Sequence, residues 1–192
     1  MPARTTPLSE LPEGFAYQAE FLSHDEEGDL LVAIGKQEFQ PVNFQGYIAR
    51  RRIVSYGFDY DFGSRQTTAT APIPEFLSRV RERAAVWAGV RAEELQEAIV
   101  TEYRAGAPIG WHRDAPQFEA ILGISFAGTC RMRFKPFKKE GKSLSASLEP
   151  RSIYALRGLV RWHYQHSIPA VPELRYSITF RTLRERTRKS RQ

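Results

Sequence analysis

Between residues 96 and 183 the chain breaks into a series of short β-type runs separated by turns, and this pattern restricts its fold more than any other feature. The runs cover 97–104, 109–114, 120–126, 130–137, 144–148, 152–156, 162–168 and 175–183, with glycines and prolines among the breaks. Many short strands rich in β-branched and aromatic residues, spaced by turn residues, lead to a sandwich or jelly roll rather than to a helical domain. The fold class expected is mainly β with flanking α.

Two helices are expected upstream. Residues 1–14, with three prolines, read as a loosely held arm, and 15–22 as a short strand or lead-in. Ser23-His24-Asp25-Glu26 has the form of a capping box, in which the serine covers a free helix N–H and the glutamate reaches back. A helix should run from there to about Ile34, stopped by Gly35, with His24 in its solvent-facing first turn. Strands are expected within 38–62, where Tyr47, Tyr56, Phe58, Tyr60 and Phe62 suit one face of a half-buried sheet, with one or two lining a substrate mouth. Pro74 suits the first turn of a second helix running to about Gly89. Its Phe76, Leu77, Val80, Ala84 and Trp87 recur at helical spacing and should pack on the sheet.

With 192 residues the chain is long enough for one domain with a full core, expected over 15–183. No run of about 18 apolar residues is present, and the N-terminus has no basic segment followed by an apolar one, so neither a membrane span nor secretion is expected. The single Cys130 cannot form an internal disulfide; a cytoplasmic, monomeric protein with an inert core cysteine is the expectation. The formal charge is +6. Arg184, Arg186, Arg188, Lys189 and Arg191 make residues 184–192 a basic tail, which by itself reads as a solvated end. With Arg50-Arg51-Arg52 and the lysines at 135, 138, 139 and 142, it tips the balance toward a polyanionic partner such as nucleic acid.

The chemistry lies in the downstream half. His112 and Asp114 are two apart, and on a strand both point to one face. A histidine from a distant strand would complete two imidazoles and one carboxylate, a set that holds Fe(II) from one side and leaves positions open for substrate and O2. Arg113 must face the other way. His163 and His166 are both available, and three apart on a strand they would point to opposite faces, so only one can join. Nine residues past His166 begins Arg175-Tyr-Ser-Ile-Thr-Phe-Arg181. Its arginines are six apart and share a face, and each is a permanent cation able to fork a carboxylate. A His-x-Asp alone is a weak signal, and a histidine hydrogen-bonded to a nearby acid is its ordinary account; the paired arginines raise it.

Thr101-Glu-Tyr103-Arg-Ala-Gly-Ala-Pro-Ile-Gly-Trp-His112-Arg-Asp114, Arg161-Trp-His-Tyr-Gln-His166-Ser-Ile-Pro and the closing run 175–181 resemble the AlkB family of Fe(II)- and 2-oxoglutarate-dependent dioxygenases over about half of the chain. Ser55-Tyr-Gly-Phe-Asp-Tyr-Asp-Phe-Gly63 is similar to the segment preceding that family's core. The resemblance implies a double-stranded β-helix braced by two N-terminal helices. Its implied metal ligands are His112, Asp114 and His166, and His163 becomes a core or supporting group. Arg175 would pair with the distal carboxylate of 2-oxoglutarate, Arg181 would lie near the iron-bound end, and Tyr103 would donate its hydroxyl. Arg161 matches a basic position with a structural or hydrogen-bonding role. The family's two asparagines are Thr101 and Ser177 here, which donate hydrogen bonds over a shorter reach. Pro116 stands where repair members carry a second acid, which puts their manner of reading a damaged base in doubt. The implied activity is oxidative demethylation of alkylated nucleic-acid bases with Fe(II), 2-oxoglutarate and O2, releasing succinate, CO2 and formaldehyde. Its rivals are oxidation of a protein side chain and a non-catalytic nucleic-acid-binding module.

Overall fold

The computed structural model describes residues 6–44, 47–61, 66–138 and 140–184. Its strands are β1 (Phe15–Gln18), β2 (Gln40–Phe44), β3 (Tyr47–Tyr56), β4 (Phe58–Asp61), β5 (Gln66–Ala69), β6 (Leu95–Tyr103), β7 (Ile109–His112), β8 (Phe118–Phe126), β9 (Cys130–Pro136), β10 (Leu144–Leu148), β11 (Ile153–Leu156), β12 (Tyr164–Ile168) and β13 (Arg175–Leu183). Helices α1 (His24–Gly35) and α2 (Ser78–Ala88) come early, and a short α3 (Gly158–His163) precedes β12. A seven-stranded sheet, ordered β1-β11-β8-β13-β6-β3-β2, faces a four-stranded one, ordered β10-β9-β12-β7; β4 and β5 form a separate hairpin. All the pairings are antiparallel, which is the jelly roll expected from the strand pattern.

The period of two along β6 and β13 divides their side chains between two cores. Ala98, Val100, Ile178 and Phe180 point outward and join Leu30 and Ile34 of α1 and Val80, Ala84, Ala85 and Ala88 of α2. Tyr103, Phe118, Met132, Phe134, Tyr154 and Ile168 lie in the other core, between the sheets. Gly123 belongs to this arrangement, because a Cβ there would lie 2.2 Å from Cζ of Tyr154.

The start of α1 and the end of α2 follow their sequences, while α2 begins at Ser78 rather than in a first turn holding Pro74. Ser23 Oγ accepts the Glu26 N–H and Glu26 Oε2 accepts the Ser23 N–H, so the capping box is formed. α1 runs through Gly35 and is capped at Lys36, slightly later than expected. α2 follows a single 3-10 turn over Glu75–Leu77 and ends on Gly89, whose φ of 65° is a left-handed conformation that glycine adopts without a Cβ clash. Glu27 is buried on α1, where it accepts the Ala127 N–H at 2.9 Å and faces Arg151, tying the helix to the β8–β9 turn.

Three expectations need correction. The loose arm of 1–14 is held from Thr6 onward: the Thr6 N–H bonds Ser145 O at 2.9 Å, and Leu11 is buried between the sheets. The strand at 109–114 ends at His112, so Asp114 lies just beyond it. The strand at 162–168 begins only at Tyr164, because residues 158–163 form α3. His163 is therefore the exposed end of a helix rather than the opposite face of a strand, and its carbonyl accepts the Phe137 N–H. Residues 185–192 of the basic tail, Lys139, Phe62 and the side chains of Tyr47 and Tyr60 lie outside the described residues. No helix among the described residues is long and apolar enough to cross a membrane.

Candidate metal and cosubstrate site

β7 and β12 are neighbours, and their register sets His112 directly opposite His166. The two rings lie 4.2 Å apart between centroids, and Asp114 Oδ2 is 3.6 Å from His166 Nε2. One ligand atom from each of His112, Asp114 and His166 falls within 4.8 Å of the others, a group able to hold a metal ion. Gly110 O lies 2.9 Å from His112 Nδ1; a proton on Nδ1 makes this a hydrogen bond and leaves Nε2 as a bare ligand atom.

Asp114 is held asymmetrically. Arg181 donates to its Oδ1 from Nε (3.0 Å) and Nη2 (2.7 Å), while Arg181 Nη1 donates to the buried Glu97. Asp114 Oδ2 is buried and has no hydrogen-bond partner. A desolvated carboxylate oxygen without a partner is costly unless something binds it, and a cation between the two imidazoles would. Burial works against ionisation of Asp114, but Arg181 and the two imidazoles more than offset it and hold the carboxyl below its ordinary range. Burial, reinforced by His112, pushes His166 down to about 3. His112 is lowered by burial too, against the pull of Asp114, with Arg51 and Arg181 adding to the fall. Both rings are therefore neutral at pH 7, the form that binds metal.

A second unpartnered group lies deeper between the sheets. Arg175 is 1% exposed; its Nε donates to Ser125 Oγ at 3.0 Å, its guanidinium lies 4.9 Å from the Tyr103 ring centroid, and its Nη1 has no partner. Across β6 and β13 the register aligns Arg175 with Tyr103, Ser177 with Thr101 and Arg181 with Glu97, and each of these pairs shares one inward face. Thr101, Tyr103 and Ser177 are all buried. A buried guanidinium with a free N–H, beside two hydroxyl residues and a tyrosine, is chemically suited to a carboxylate. The residues present thus fit a divalent cation and a dicarboxylate.

The sequence reasoning missed Glu97 and Ser125. A carboxylate at a strand position gives no sign that it pairs with an arginine 84 residues away. Arg161 is buried with its Nη2 on Ala115 O (2.7 Å) and Phe118 O (2.8 Å), so it clamps the loop that carries Asp114. Arg113 faces away as expected, donating to Trp162 O and lying 3.7 Å from the Phe137 ring centroid. Cys130 is buried, and burial raises its thiol pKa.

Comparison with known proteins agrees with this geometry. A model of the 2OG-Fe(II) oxygenase superfamily matches residues 22–181. An Arabidopsis thaliana protein named "Alkylated DNA repair protein ALKBH8 homolog" is 27% identical over 175 residues, covering 78% of this chain and 49% of its own. A Mus musculus protein named "tRNA (carboxymethyluridine(34)-5-O)-methyltransferase ALKBH8" is 26% identical over 168 residues, covering 84% of this chain and 25% of its own. The chain thus spans about half and about a quarter of these two relatives. The solved structure of OsALKBH1 superposes with a TM-score of 0.70 at 17% identity, covering 90% of this chain and 99% of that one, which shows a shared fold. The chain belongs to the 2OG-Fe(II) oxygenase superfamily.

Proposed function

We propose that the protein oxidises alkyl groups on nucleic-acid bases, with His112, Asp114 and His166 as the iron ligands. The observation that carries the site assignment is that two of the buried, unpartnered atoms, Asp114 Oδ2 and Arg175 Nη1, belong to residues that meet between the two sheets, Asp114 on Arg181 and Arg175 on the same strand as Arg181. Arg175 binds the distal carboxylate of 2-oxoglutarate; Tyr103, Thr101 and Ser177 orient the cosubstrate with their hydroxyls. Arg181 has its donors committed to Asp114 and Glu97, so its part is to keep Asp114 ionised and to turn Oδ2 toward the metal. Bound Fe(II), with 2-oxoglutarate and O2, supplies the oxidising power for hydroxylating a substrate C–H bond, and an N-methyl group so hydroxylated leaves as formaldehyde. The protein's own contribution is position and dryness, since closely packed aromatic and aliphatic side chains surround the site.

The nucleic-acid substrate is supported by the formal charge of +6 and by the names of the two relatives. Reaction at a base needs that base out of its stack, so unpaired substrates should react fastest. The test measures succinate and formaldehyde released by Fe(II)-reconstituted protein on methylated single strands, methylated duplexes, transfer RNA and methylated peptides. Product from the single strands or transfer RNA supports the reading. Product from peptides alone overturns it in favour of a protein side chain.

A further inference from the structure

The three consecutive arginines at 50–52 are one basic cluster in the sequence, and the fold splits them. Arg52 lies opposite Glu102 and Ile53 opposite Thr101 in the β3–β6 register. Arg52 points outward, where its Nε and Nη2 grip both oxygens of Glu102 at 2.9 Å and its guanidinium lies 5.7 Å from the Phe39 ring centroid. Alternation along the strand then turns Arg51 inward, one strand nearer the edge of the sheet than the cosubstrate residues of β6 and β13. Its charge adds to the lowering of the His112 pKa, after burial.

Arg51 differs from the other arginines of this inner surface in what it touches. Arg181 is committed to Asp114 and Glu97, Arg161 to two backbone carbonyls, and Arg175 to Ser125 and the cosubstrate pocket. Arg51 has no hydrogen-bond or ion-pair partner among the described residues and is only partly buried. Among the described residues, the carboxylates beside the metal position, Asp114 and Glu97, are held by Arg181, and neither is paired with Arg51. A guanidinium so placed attracts an anion, and a nucleic-acid base brings one within a few bonds of itself, its own backbone phosphate.

We propose that Arg51 is a specificity-determining residue that binds the phosphate flanking the base presented to the metal site. The inference rests on the nucleic-acid reading above and adds to it a named contact. It gives a use to a partly buried arginine, whose desolvation an anion would offset.

The test uses protein loaded with Mn(II) and 2-oxoglutarate, which binds without turnover, and a fluorescent methylated single-stranded oligonucleotide. Arg51→Gln should weaken binding by about 10- to 100-fold, the usual worth of a hydrogen bond to a charged group. The slope of log affinity against log salt should fall by about 0.7, the loss of one phosphate contact on a single strand. Arg51→Lys should recover most of the affinity, since a cation remains. A neutral methylphosphonate at the linkage beside the methylated base should weaken the native protein by a similar factor and Arg51→Gln no further. Equal binding by Arg51→Gln and native protein, or losses that multiply when both changes are combined, overturns the assignment. Retained Mn(II) and 2-oxoglutarate affinities in Arg51→Gln show that the variant is folded. If the native protein binds none of the oligonucleotides and turns none over, the nucleic-acid reading fails first, and that outcome is visible without any variant.

Discussion

The two oxygens of Asp114 have different surroundings, and the difference is what makes the residue useful. Oδ1 takes two N–H groups from Arg181, while Oδ2 is left bare toward His166. In the proposed site, removing the carboxylate would remove the anionic ligand and leave Arg181 with Glu97. Asp114→Ala is therefore expected to abolish stoichiometric Fe(II) or Mn(II) binding by calorimetry, and His163→Ala to leave it intact, because His163 is exposed at the end of α3. Metal bound tightly by Asp114→Ala would refute the ligand set. Arg175 presents the matching case for an anion. Arg175→Met should weaken 2-oxoglutarate binding by about 2–5 kcal/mol, the cost of stripping one partner from a buried charge pair, and a titration with an unchanged dissociation constant would disprove its role.

Among the elements, β13 has the widest duty. It pairs with β6 on one side and β8 on the other, presenting Arg175, Ser177 and Arg181 to the interior and Ile178 and Phe180 to the helices. α2 sits on that outer surface, with the sheet between it and the ligands. Leu77, fully buried just before α2, anchors it. Leu77→Ala should cost about 2–5 kcal/mol of folding stability, a transfer loss plus a cavity. Metal affinity below the melting range should stay unchanged, since the sheet separates the two sites. Loss of metal affinity in the folded variant would show that the helices reach the site.

For the molecule as a whole, the neutral histidines make the metal-free protein sensitive to acid. His166 titrates at about 3 in the fold against about 6.5 in an unfolded chain, and His112 is depressed as well. Their contribution is fully present above pH 6.5. As pH falls toward 3 the unfolded chain takes up protons that the folded one refuses, and stability drops by up to about 1.4 kcal/mol per pH unit for each such group. Asp114, shifted downward, loses stability in the same direction but at lower pH, so the interval from pH 7 to 5 isolates the histidines. The urea midpoint of the metal-free protein should fall over that interval, and less in His166→Gln. A flat midpoint would contradict the neutral-histidine account.

The β character, the capping box of α1, the glycine end of α2 and most strand limits were legible in the sequence because they depend on local properties: side-chain period, turn residues and capping hydroxyls. The shared face of Arg175 and Arg181 was legible too, because an even spacing within one strand returns the side chain to the same side, whereas Asp114, just past the end of β7, meets His112 and His166 only through the fold. Partnership across the fold was not legible. Glu97 meets Arg181 only because β6 and β13 pair in one register, and Asp114 shows a single bare oxygen only because Arg181 covers the other. The helical turn that carries His163 to the surface depends on residues 158–163 packing beside β8. Arg51 and Arg52 are adjacent letters of the same kind, and only the sheet, by turning successive side chains to opposite faces, set Arg52 on Glu102 and turned Arg51 inward. Long-range contacts carry no local sequence signal, and so the tertiary structure alone decided them.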